Sequence, residues 1–148
     1  MIQEKYLYFR TQPDQANDDG SDDSVMFPAS RLTGMAPSAA GTLTLFFESL
    51  QRRFPTGLEV DHANNFDNHD SVVLAITSRR HKEVMKSIVQ AINEPVSKNG
   101  GFIVVADDVT TTYLTSSAGA DETVSAVVID SNITSCGAIT IKEVYDNS

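Results

Sequence analysis

The sequence predicts an α+β domain: a mostly antiparallel sheet or sandwich of about seven or eight short strands, one amphipathic helix packed on it, and an extended loop or arm. Three observations carry this expectation. Segments rich in β-branched and aromatic residues recur along the chain, separated by Gly, Pro, Asn, Asp and Ser. One segment alone, Arg79 to Asn93, has a helical apolar period, and it has strands on both sides. No motif repeats at a fixed interval, which sets solenoids and propellers aside. The 148 residues suit one domain with its own core. That domain is read as 1–148, with an acidic loop and extended arm at 12–41 and the main core at 42–144.

Each element has a local reason. Ile2 to Thr11 alternates polar with bulky residues through Tyr6, Leu7, Tyr8 and Phe9 and reads as a strand. Gln12 to Ser24 follows with a proline, a glycine and five aspartates; it has no apolar face to give a core and reads as a solvated loop. Val25 to Pro28 reads as a short edge strand. Ala29 to Gly41, with Pro37 and small residues, reads as an arm. Thr42 to Glu48 and Asp70 to Thr77 have the pattern of buried strands. The connection between them, Leu50 to His69, has room for a short strand at Leu58 to Val60. In the helix, Val84, Ile88 and Ile92 recur at four-residue spacing, Ser78 is the expected N-cap, and Glu94-Pro95 marks the end. Gly101 to Ala106 reads as a buried strand, and Thr110 to Thr115, Thr123 to Asp130 and Gly137 to Val144 as further strands. The expected core is Leu43, Leu45, Phe47, Val72, Leu74, Ile76, Ile88, Ile92, Phe102, Val104, Val127 and Ile141.

Composition narrows the function. A net charge of −9 disfavours phosphate backbones and anionic lipid, so no direct nucleic-acid or membrane partner is expected. No apolar run approaches the ~20 residues of a membrane span, and the start lacks a signal-peptide pattern, so a soluble, cytoplasmically made chain is expected. The lone Cys136 has no partner for a disulfide and reads as a small buried residue.

Two clusters offer metal ligands. In the acidic loop, setting Gly20 at the sixth position of a calcium loop puts Met26 where a bidentate glutamate is needed, and an irregular site on Asp18, Asp19, Asp22 and Asp23 competes with a plain solvated loop. The second cluster, Asp61, His62, Asp67, His69 and Asp70, mixes imidazole and carboxylate but matches no helix-borne metal motif. No nucleophile elbow or phosphate-binding glycine loop is present. The expectation is therefore a non-enzyme with no cofactor, and a divalent-metal-dependent binding module or small enzyme is the alternative from another class.

The cations are uneven. Arg52, Arg53, Arg79, Arg80 and Lys82 account for five of the 11 Lys and Arg, and they occupy two short runs. If the runs converge they orient docking onto an acidic partner; otherwise they are solvated. Phe27, Leu32 and Met35 in the arm are the expected apolar anchors for that partner.

One further reading rests on likeness. Asp70 to Asp108 contains His81-Lys82-Glu83-Val84, Ala91-Ile92-Asn93 and Gly101-Phe102-Ile103-Val104-Val105-Ala106-Asp107-Asp108, about a quarter of the chain. This stretch resembles small virion proteins of short-tailed phages of marine cyanobacteria and their relatives. The resemblance implies a capsid decoration or cement protein located in the virion after synthesis in the host cytoplasm. The major capsid protein and other copies of the chain would be its partners. A head-completion or tail component is the alternative within that class.

Overall fold

A computed structural model of the chain describes residues 4–49, 69–96, 100–113 and 121–141. Within them the elements run β1 (Tyr6–Arg10), β2 (Ser24–Pro28), β3 (Leu32–Ala39), β4 (Thr42–Glu48), β5 (His69–Ile76), α1 (His81–Asn93), β6 (Phe102–Asp107), β7 (Thr111–Tyr113), β8 (Asp121–Thr123), β9 (Val127–Val128) and β10 (Ile133–Thr140). The first sheet has the order β2-β1-β6-β9, with β1 and β6 parallel and the outer pairs antiparallel. The second, β10-β5-β4-β3, is antiparallel throughout. Strands β7 and β8 pair by themselves. The fold is thus α+β, dominated by sheet, with one long helix among the described residues.

The inner faces of both sheets share one core. Leu7 and Phe9 of β1, Phe27 of β2 and Val105 of β6 meet Leu43, Leu45 and Phe47 of β4 and Val72 and Leu74 of β5, all fully buried. Phe27 stacks on Phe47 across the interior, with centroids 4.0 Å apart and planes at 4°, and Phe9 meets both edge-on. Helix α1 adds Val84, Ile88 and Ala91 to the same cluster and lies against β3 and β6. In β10, Gly137 answers a close approach: a Cβ there would sit 2.8 Å from the Val73 carbonyl oxygen of β5.

The helix ends are held by other elements. His81 donates Nε2–H to the carbonyls of Ala39 and Thr42, both at 2.9 Å; since both partners only accept, the proton lies on Nε2. At the other end the buried Lys5 ammonium donates to the carbonyls of Ile92 and Glu94, placing a cation where the helix carbonyls are unpaired. Ser78 does not cap. Arg80 is the N-cap and makes no side-chain cap bond, because Thr77 to Arg80 is a hydrogen-bonded turn, with Arg79 left-handed at φ 66° and its N–H on Ala40.

Three expectations are corrected. The edge strand expected at Val25 to Pro28 is β2, but the rest of the arm is sheet as well: Leu32–Ala39 is β3, an edge strand whose register shifts beside Gly34 and Pro37. The predicted anchor Phe27 is at the centre of the core, and Leu32 and Met35 pack partly buried against it. Phe102, at 45% exposed, and Val127, at 51%, lie outside, and Val104 is half-buried; Ile103 and Val105 take the inner places. Gly101 to Ala106 has no polar residue to mark a solvent side, so its parity comes from pairing with β1. The final strands shift too, to Val127–Val128 and Ile133–Thr140, with Ile133, Cys136 and Ile139 inward. Ile92 and Ile141 are partly buried against the core. The predicted Leu58 to Val60 strand lies outside the described residues.

Removing the Ile88 side chain leaves a cavity at the helix–sheet contact, so Ile88→Ala is expected to cost about 2–5 kcal/mol in urea unfolding. Phe102→Ala, at an outward position, should cost about 1 kcal/mol or less. A reversed order of these two costs would place β6 the other way round.

Candidate binding surfaces

The outer face of the first sheet follows from the alternation of β1. With Leu7 and Phe9 inward, Tyr6, Tyr8 and Arg10 face out. Pairing sets Pro28 and Phe102 beside Tyr6, Met26 and Val104 beside Tyr8, and Ser24 and Asp107 beside Arg10; Val127 continues the last row on β9. Tyr8 and Phe102 touch, with centroids 5.3 Å apart. Met26, at 43% exposure, and Phe102, at 45%, flank Tyr8 as an apolar patch open to solvent, and Val127, at 51%, stands exposed beside Asp107 at the β9 edge of the same face.

One end of the face is a closed polar network. A register shift between Tyr8 and Phe9 brings Arg10 opposite Asp107. Arg10 then forks onto the two Asp107 oxygens at 2.8 and 3.0 Å and reaches Asp18 at 3.1 Å. Its guanidinium carbon lies 5.7 Å from the Tyr8 ring centre. The Asp107 hydrogen bond holds the Arg10 pKa above its ordinary value against the opposing effect of burial. Burial raises that of the Tyr8 hydroxyl.

The acidic loop between β1 and β2 uses its carboxylates as structure. Asp14 accepts from the Ala16 N–H, Asp18 from Ser24 Oγ as well as Arg10, and Asp23 from the N–H groups of Gly20 and Asp19. Among the described residues no three His, Cys, Asp or Glu side chains converge as a metal site. His69 and Asp70 are neighbours on β5 and point to opposite faces: Asp70 is fully buried, while His69 meets the Phe46 ring. A shared ion would need both on one side. Asp61, His62 and Asp67 lie outside the described residues.

Asp108 ties the sheets together. Both of its oxygens accept from the Cys136 N–H of β10 at 3.0 Å, and Thr11 Oγ donates to the Cys136 carbonyl at 3.0 Å. Burial raises the Asp108 pKa, with the neighbouring Asp107 adding to it and the bond from Cys136 opposing. Burial, then Asp108 and Asp107, push the Cys136 thiol up to about 12, so at neutral pH it is a protonated core residue and a poor nucleophile.

The cations expected to act together are described only in part. Arg79, Arg80 and Lys82 are exposed at the start of α1, and Arg80 pairs with Glu83 at 3.1 Å. Arg52 and Arg53 lie outside the described residues. Sequence reasoning missed Met26, Tyr8, Phe102 and Val127. Its available signal was the first strand, which carries large side chains at both parities: Leu7 and Phe9 on one side, Tyr6 and Tyr8 on the other. Compared with protein-family models, curated proteins and solved structures, the chain matches none.

Two outcomes test the polar network. Arg10→Ala leaves Asp107 and Asp18 without their cation at side chains only 13% and 14% exposed, and should cost about 3 kcal/mol in chemical denaturation. The second concerns pH. A carboxyl with a folded pKa above the unfolded one penalises the fold once ionised, so its contribution declines as pH rises from about 3.8, the ordinary value, through the raised one. Asp108→Asn removes that titration. Its stability relative to the unsubstituted protein should therefore rise with pH across this window, and a flat difference in melts from pH 3 to 7 would contradict the assignment.

Proposed function

We propose that this chain is a bacteriophage virion structural protein that decorates and cements the capsid shell, binding major capsid subunits and bridging them without catalytic chemistry. The observation that carries the reading is the open apolar face of the first sheet. Solvated Met26, Phe102 and Val127 on the outer face of a four-stranded sheet are what a neighbour in an assembled shell, a coat subunit or another copy of the chain, removes from water.

Other features support it. Asp14, Asp18 and Asp23 of the acidic loop serve turns and the Arg10 fork, while Asp19 and Asp22 stand exposed beside the sheet face, where they can meet a cationic partner. The segments that resemble phage virion proteins form the start and the end of α1 and the whole of β6, the strand that carries Phe102 and Val104. Acidic surface keeps many copies soluble before assembly and limits contact with packaged DNA. Arg79 and Arg80, exposed at the helix start, are suited to orienting the chain on an acidic coat surface.

Mass-spectrometric counting on purified particles tests the role. Copies comparable in number to the coat subunits are expected; absence, or only a handful per particle, would remove the cement function. On shells lacking the protein, Arg79→Glu with Arg80→Glu should slow binding and make it less sensitive to added salt.

A further inference from the structure

All four large apolar side chains that stand exposed among the described residues fall on two surfaces. Met26, Phe102 and Val127 lie on the outer face of the first sheet, and Val89 lies on the solvent side of α1. The surroundings of the two differ in sign. The sheet face is bordered by the β1–β2 loop, where Asp19 and Asp22 are exposed and no Lys or Arg is present from Gln12 to Ser24. Val89 shares its helix stripe with the exposed Lys82 and Lys86, at the spacing of one face.

We infer that these surfaces bind each other between copies: the Lys82–Lys86–Val89 stripe of one chain seats on the Met26–Phe102–Val127 face of the next, with the lysines beside the acidic loop. The occupant of the sheet face is thus a second copy. Charge decides the choice. Two sheet faces set against each other would offer the acidic loops no free cation, because Arg10 is already forked onto Asp107. Helix against face supplies one and places apolar Val89 over the apolar face. Both surfaces point away from the shared core on different elements, so one chain can use both at once, and the contact is head-to-tail, closing into a ring or continuing as a row.

Area sets the strength. Strands ~4.8 Å apart and about three side-chain rows give a footprint on the order of 300 Å². This is well below the ~800 Å² per partner of a stable interface. A single contact is therefore weak in free solution, and copies held on one shell, or closed into a ring, gain by multiplicity. The inference narrows the proposed cement role, giving the sheet face to a neighbouring copy and leaving Arg79 and Arg80 for the coat, but it is tested without any shell.

The test is sedimentation of the full chain over a concentration series at low and high salt. The expected result is association that grows with concentration and weakens with salt. Phe102→Asp, and separately Lys82→Glu with Lys86→Glu, should each remain folded by circular dichroism and lose self-association. Mixing these two variants should restore one productive contact, helix stripe of the first on sheet face of the second, and stop at a heterodimer. A chain that stays monomeric at every concentration, association indifferent to salt, or variants that stay apart on mixing would overturn the inference. Absence of the protein from particles would sink the cement role and leave this result standing.

Discussion

The stacking of Phe27 on Phe47 is the contact on which the rest depends. Phe27 comes from the edge strand of one sheet and Phe47 from an inner strand of the other, and Phe9 packs edge-on to both. Two four-stranded sheets, each with one apolar face, gain stability only by burying those faces together, and each fully buried Phe or Leu contributes about 1.5–3 kcal/mol. Once Phe27 and Phe9 point inward, strict alternation turns Met26, Tyr8 and Arg10 outward. The open face of the first sheet is a consequence of the core.

The same geometry explains how a chain of net charge −9 tolerates an acidic loop beside that face. The register shift in β1 brings Arg10 opposite Asp107, and the guanidinium fork then reaches Asp18. One cation thereby anchors the end of β6 and the β1–β2 loop at once. The next residue, Asp108, holds Cys136 of β10. Adjacent aspartates thus do different work: one closes the polar end of the outer face, and the other joins the sheets.

A binding role fits this distribution of chemistry. Asp14, Asp18 and Asp23 of the acidic loop are engaged in turns and ion pairs, while the exposed apolar side chains lie on two surfaces, one beside the exposed Asp19 and Asp22 and the other beside Lys82 and Lys86. The decorating role proposed above would need solubility when free and many weak contacts when assembled. Acidic charge serves the first, and modest faces of opposite character serve the second.

Strand β4 and helix α1 were legible in the sequence because each carries its own polar–apolar period, and β5 because its apolar run, Val72 to Ile76, falls between polar ends. Alternation in Thr42 to Glu48, and four-residue spacing of Val84 and Ile88, are local properties that survive in any fold burying them. The small buried character of Cys136 was legible from its residue type, a lone thiol with no disulfide partner and no nucleophile motif around it. The inner side of β6 was not, since Phe102 to Ala106 is apolar at each position and only the register against β1 chose Ile103 and Val105 over Phe102 and Val104. Nor was the place of Phe27: the short edge strand read at Val25 to Pro28 did not show which side faces inward, and Ala29 to Gly41 looks like an arm; pairing with β1 and β4 settles both. By itself the sequence determined the fold class, the helix and the strands with a clear period. Tertiary structure decided which faces are open and which charges are paired, because parity and ion pairing depend on neighbours distant in the chain.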